Sequence, residues 1–212
     1  MTGTHGSMRH MGNAIVTSTD AREAMISDRT LNRTSLDGLF DVRGYGSADS
    51  DIVALMVFQH QVRVTNLITR IGWEARLAAY DRRLDLMSGP LHDGILELVD
   101  ALLFVGEEPL TARVTGTSGF AEMFAAQGPA DDQGRSLRQL DLEHRLLRYP
   151  CSYMIYSAAF HALPIDVRHA IYRRMWNILS GHDASPKYSR LSEPDRRAIM
   201  EILRDTLHDL PS

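Results

Sequence analysis

The chain has 212 residues, 44% of them hydrophobic and 24% charged, with a formal net charge of -4. This is too apolar for a disordered chain and long enough for one domain with a substantial core. The mild acidity gives no electrostatic reason to expect a nucleic acid or an anionic membrane as partner.

Cys151 is the single cysteine, so the chain can form no internal disulfide, no CxxC redox pair and no Cys-x-x-Cys-His haem attachment. No apolar run reaches the ~20 residues of a membrane-spanning helix. Ile52–Phe58 stops at Gln59, and Ile95–Val105 carries Glu97 and Asp100. The first residues hold no signal-peptide core.

In chain order, Met1–Asn13 is rich in Gly and His and reads as loop. Ala14–Thr19 suits a short strand, and Asp20–Ser27 a turn of helix. Residues 1–46 together are expected to form a loop-rich lead-in packing on the core, with 47–212 a single helical domain. Asp49–Arg83 contains no proline and one interior glycine, Gly72. Val53, Met56, Val57, Val64, Leu67, Ile68, Ile71 and Ala75 recur there at steps of three and four, the signature of a long amphipathic helix. Ser47, Asp49 and Ser50 are its start signals. His60 alone interrupts the apolar stripe, and an imidazole there needs a hydrogen-bond partner or a metal. Gln59, Gln61, Arg63 and Asn66 are the polar groups nearest to it in sequence.

A second helix is expected from about Leu91 to Val105, closed by Glu107-Glu108-Pro109. A short one follows at Phe120–Gln127, and Gly128–Gly134 reads as an exposed linker. Ser136–Arg148 is expected as a short helix and Cys151–His161 as a buried one. Pro164–Ser180 forms an amphipathic helix ended by Gly181. The Ser192-Glu193-Pro194-Asp195 cap starts the last helix, of Ile199, Ile202, Leu203 and Leu207. Trp73 and Trp176 are expected as core anchors. The fold class is therefore all-α, an irregular helical domain built on one long central helix with a loop-rich N-terminus.

No phosphate loop, GxGxxG, HExxH or GxSxG motif is present. The pairs Asp141/His144, Asp166/His169 and Asp205/His208 share a helical spacing with di-iron proteins but lack the companion glutamates; surface charge pairing is the better account. A metal-dependent hydrolase or oxidase would need three or more of His60, Asp141, His144, Asp166 and His169 to converge. Cys151, followed by apolar and aromatic residues, reads as a buried thiol. His5, Met8, His10 and Met11 cluster residue types that ligate iron or copper.

Five stretches carry a resemblance: THGSMRHMGN at Thr4–Asn13, SDIVALMVFQHQVRVTNLITR at Ser50–Arg70, CSYMIYSAAFHALP at Cys151–Pro164, YRRMWNILSG at Tyr172–Gly181 and DRRAIMEILRDT at Asp195–Thr206. Together they resemble, in the same order, the C-terminal region of an uncharacterised family of large bacterial exported proteins with c-type cytochrome character. In that family a Cys-x-x-Cys-His segment lies upstream. The resemblance implies a haem-associated, electron-transfer setting in the periplasm or outside the cell, with the upstream haem-bearing segment or a redox partner as the neighbour. Haem c would belong to the full-length protein, since none can be attached covalently here. His10, Met8, Met11 and His60 are the implied axial or near-haem residues, and His10 and His60 the implied metal ligands, imidazole and thioether being the usual axial donors. The alternative is a structural or protein-interaction helical module without cofactor, in which His60 is buried and bonded within the protein.

Overall fold

The computed structural model describes residues 1–7, 19–20 and 33–207. The strand and helical turn expected between Ala14 and Ser27 lie outside these residues, apart from Thr19 and Asp20. The described chain is mainly helical: α1 (Ile52–Tyr80), α2 (Gly89–Leu102), α3 (Phe120–Ala125), α4 (Ala158–His161), α5 (Ile165–Leu179) and α6 (Glu193–Thr206). A two-stranded antiparallel ladder pairs β1 (Thr4–His5) with β2 (Val114–Thr115), Thr4 opposite Thr115 and His5 opposite Val114. The chain divides into two compact units, one of 1–58, 109–126 and 140–146, the other of 59–108, 127–139 and 147–212.

In the first unit, residues 2–6, part of the stretch expected as loop, are pinned by backbone pairing. Thr2 is fully buried; its N–H donates to Ser50 O (2.7 Å) and its carbonyl accepts from Ile52 N–H (2.8 Å). Gly3 adopts φ +126°, and a Cβ there would lie 2.4 Å from Ile52 Cγ2 and 2.7 Å from Thr115 O, so only glycine fits. The start of α1 is set by Asp51 rather than by the serines and aspartate before it. Asp51 Oδ1 accepts from the N–H groups of Val53 (2.7 Å) and Ala54 (3.3 Å), which the first helical turn leaves without partners. Its Oδ2 accepts from Thr117 N–H (2.8 Å), Ser118 N–H (2.9 Å) and Ser118 Oγ–H (2.8 Å). Ile52, Val53 and Val114 form the local core, with Met1, Leu110, Phe120 and Leu142 against it.

The second unit holds the remainder of α1 with Val64, Leu67, Ile68, Ile71 and Ala75 buried, as the periodicity requires. In α2, Leu91, Ile95, Leu98, Val99 and Leu102 are buried, and this helix packs on α5, which packs on α6. Gly94 of α2 lies so close to α1 that a Cβ would meet Ile71 Cγ1 at 3.3 Å. The cap at Ser192 forms as expected, its hydroxyl accepting from Asp195 N–H at 3.2 Å, and Gly181 follows α5 with φ +81°.

Several expectations are corrected. No helix forms over Ser136–Arg148. Asp141 Oδ1 accepts from the N–H groups of Glu143 (2.8 Å) and His144 (2.9 Å), which diverts the backbone into a turn, and Leu142 sits at φ +62°. The Asp141/His144 pair is thus a turn feature and not a helical face. Cys151–His161 is broken in two: a 3-10 turn over Tyr153–Tyr156 capped by Ser152, then α4 capped by Ser157. Gly128–Gly134 is no free linker, because Asp131 is buried and accepts from Gln133 N–H (3.0 Å), Arg135 N–H (2.7 Å) and Arg135 Nε–H (2.6 Å). Arg135 also pairs with Glu201 of α6 at 2.8 Å. Neither tryptophan anchors the core: Trp73 is 70% exposed and Trp176 39%, the latter beneath the Arg204 guanidinium at 4.8 Å.

Candidate functional site

Of the four implied cofactor residues, His60 is described; Met8, His10 and Met11 lie outside the described residues. His60 is 6% exposed, on the buried side of α1. Its polar partner comes from elsewhere in the chain and not from the flanking glutamines or Arg63: His60 Nε2 lies 2.7 Å from Ser152 Oγ. Ser152 is held in turn, its N–H donating to Leu102 O (2.7 Å) and its Oγ accepting from Met154 N–H (3.2 Å).

The imidazole is covered by an aromatic ring. Phe104 stacks on it with ring centroids 4.2 Å apart and planes 16° from parallel, and Tyr153 lies at 6.4 Å, tilted by 53°. Phe104 owes its position to the way α2 ends. Val105 N–H reaches back to Asp100 O (2.9 Å) and Phe104 N–H to Ala101 O (3.3 Å), a Schellman ending that places Phe104 at φ +55°. Glycine is the usual residue at such a position, because a Cβ in the left-handed region costs about 1 kcal/mol. The ring held over His60 is what that cost secures. Around the rim, Tyr153 O–H donates to Gln61 Oε1 (3.2 Å), and the Arg138 guanidinium sits 4.9 Å from the Tyr153 ring.

Electrostatics follow from this enclosure. Burial, with a smaller push from the Arg63 charge, lowers the His60 pKa to about 4, so the ring is neutral at pH 7. His60 Nδ1 is buried without a hydrogen-bond partner among the described residues. The next residue back from Ser152, Cys151, is fully buried, and desolvation pushes its thiol up to about 12. It is an inert core thiol.

The comparisons with known proteins add no family. No family model, curated protein or solved structure matches the chain.

The arrangement limits the chemistry. The serine-imidazole spacing is that of a nucleophile and its base, yet Ser152 is fully buried and already caps a turn. Among the described residues, no three His, Cys, Asp or Glu side chains gather in a metal-binding arrangement. An open surface hollow lined by Arg174, Asn177, His182 and Asp183 has its cation committed, Arg174 pairing with Asp183 at 2.5 Å. No helix among the described residues is long and apolar enough to cross a membrane.

Sequence reasoning singled out His60 and missed Ser152, Phe104 and Asp51. Ser152 carried a usable signal, since a serine ahead of an aromatic run suits a cap. Nothing local marks Phe104 as the ring that would meet residue 60.

Proposed function

We propose that this chain is a non-enzymatic helical module that works by packing and docking, with His60 as part of its core. The observation supporting this reading is the enclosure of His60: Nε2 bound to Ser152 at 2.7 Å and one ring face covered by Phe104 at 4.2 Å. An axial haem ligand presents a free nitrogen to the iron with open space in front of it. The Nε2 nitrogen of His60 is instead engaged with Ser152, which supports the packing role.

The resemblance to the C-terminal region of exported, c-type-cytochrome-like proteins supplies the setting in which such a module would serve: structural support beside a haem-bearing segment or redox partner outside the cytoplasm. A second reading, direct haem ligation by His60, draws on its other ring nitrogen, Nδ1, which has no hydrogen-bond partner among the described residues.

Haem titration of the purified chain separates the two. The docking module gives no stoichiometric Soret shift, and its spectrum is the same in His60→Gln. A one-to-one Soret band that vanishes in a folded His60→Gln protein would overturn it.

A further inference from the structure

One stripe on the outward side of α1 in the second unit is uncharged, and its second half is apolar. Val62, Asn66, Thr69, Trp73, Leu77 and Tyr80 recur at steps of three and four and are all exposed. Trp73 is 70% exposed, Leu77 51% and Tyr80 86%. Isolated exposed apolar residues need no explanation, but two large aromatics and a leucine within three turns of one stripe form a patch of interface composition.

One edge of this stripe carries charge in an ordered way. Arg63 and Arg70 lie in its first half, Glu74 and Asp81 in its second. Asp81 continues the helical path past α1, its N–H donating to Leu77 O at 3.0 Å. We infer that this face is the contact surface of a homodimer in which two copies of α1 run antiparallel, related by a twofold axis at the level of Gly72.

About that axis each residue meets the one equally far on the other side. Arg63, nine residues before Gly72, comes opposite Asp81, nine after; Arg70, two before, comes opposite Glu74, two after. In an antiparallel pair each edge faces its own copy, so plus meets minus four times, counting both halves. A parallel pair would set this edge against the other one, where Arg76 is bound to the carbonyls of Gly72 (2.9 Å) and Ala162 (2.7 Å). The charges have intramolecular engagements, Arg63 with Glu107, Arg70 with Glu97 and Asp81 with Arg83, while one carboxylate oxygen of Glu74 is buried. They therefore set register more than affinity.

The area suits a reversible dimer. An aromatic side chain offers roughly 150–250 Å², so the exposed parts of Trp73 and Tyr80 supply roughly 300 Å² per copy. Val62, Leu77 and the stems of the flanking residues bring two copies to about the 1,000 Å² at which specific interfaces begin.

The inference rests on reading the chain as a docking module, and its test is separate from the haem titration. Sedimentation velocity over a concentration series should show a reversible monomer–dimer equilibrium. Trp73→Glu and Tyr80→Glu should each leave a monomer with an unchanged circular dichroism spectrum, since both rings are outside the core. Arg63→Glu should weaken the dimer about tenfold, because symmetry counts the reversal twice, and adding Asp81→Arg should restore it. A monomer at every concentration, or a dimer indifferent to both glutamate substitutions, overturns the dimer. Neither result bears on the haem reading, which the Soret band decides.

Discussion

His60 Nε2 and Ser152 Oγ lie 2.7 Å apart although 92 residues separate them, and the contact fixes the Ser152 end of the Tyr153–Tyr156 turn onto α1. Removing one partner leaves the other buried and unsatisfied, whereas removing both does not. Ser152→Ala should cost about 2–3 kcal/mol, since it also uncaps the turn. Ser152→Ala combined with His60→Leu should cost less than the sum of the two single changes. Urea unfolding of the four proteins gives the coupling; strict additivity would show that the contact contributes nothing.

Stability should fall with acid in two stages. The folded His60 ring has a pKa of about 4 against an ordinary 6.5. Above the ordinary value both states are neutral; below it the unfolded chain takes up a proton that the folded ring refuses. Stability is thus lost as pH falls from 6.5 toward 4, by up to about 3 kcal/mol. Asp51 and Asp131 act lower down. Burial pushes both carboxyls up, but hydrogen bonds outweigh it: Ser118, Thr117 and Val53 hold Asp51 below the usual range, and Arg135 and Gln133 hold Asp131 there. Their contribution is present above the ordinary carboxylate pKa and lost as pH falls through the depressed folded one. Unfolding free energies against pH should show the first stage disappear in His60→Gln and the second remain.

Phe104 offers a test in which the ordinary ranking reverses. Phe104→Ala keeps the left-handed φ of +55° and loses the stacked ring; Phe104→Gly loses the ring but releases the strain. The glycine variant should therefore be more stable than the alanine one by about 1 kcal/mol, although glycine is the poorer residue in most helical settings. Equal melting curves for the two would mean that the backbone there is unstrained.

Asp51 should be the most sensitive polar residue of the first unit. Asp51→Ala strands the N–H groups of Val53, Thr117 and Ser118, and should cost at least about 3 kcal/mol. Amide hydrogen exchange should accelerate at those three positions first. Gly116→Ala should act the same way, because a Cβ there would lie 2.5 Å from Asp51 Oδ2.

The helices were legible where their boundaries and faces rest on local chemistry. The three-and-four spacing of α1 and α5, Ser192 and Gly181 all behave as short-range rules require. Errors arose where a short polar side chain captured the backbone or a distant group decided the outcome. Ser136–Arg148 has helical composition, but Asp141 captures two backbone N–H groups and Arg148 N–H pairs with Gln139 O (2.8 Å). Trp73 is apolar and lies in a helix, yet the core already has its apolar stripe on the other side of α1. In the site, the awkwardness of His60 was visible and its remedy was not, because Ser152 is brought to it by the path of the chain after Leu147.

The ladder between Thr4–His5 and Val114–Thr115 also imposes an order of events. It closes a loop of about 110 residues, whose entropy must be met before the two-residue pairing returns anything. On the ribosome, Thr4 and His5 emerge long before β2 exists, and the ladder waits for residue 115. A pause in translation before residue 115 would prolong the time for which Ile52 and Val53 lack Val114, their partner in the local core.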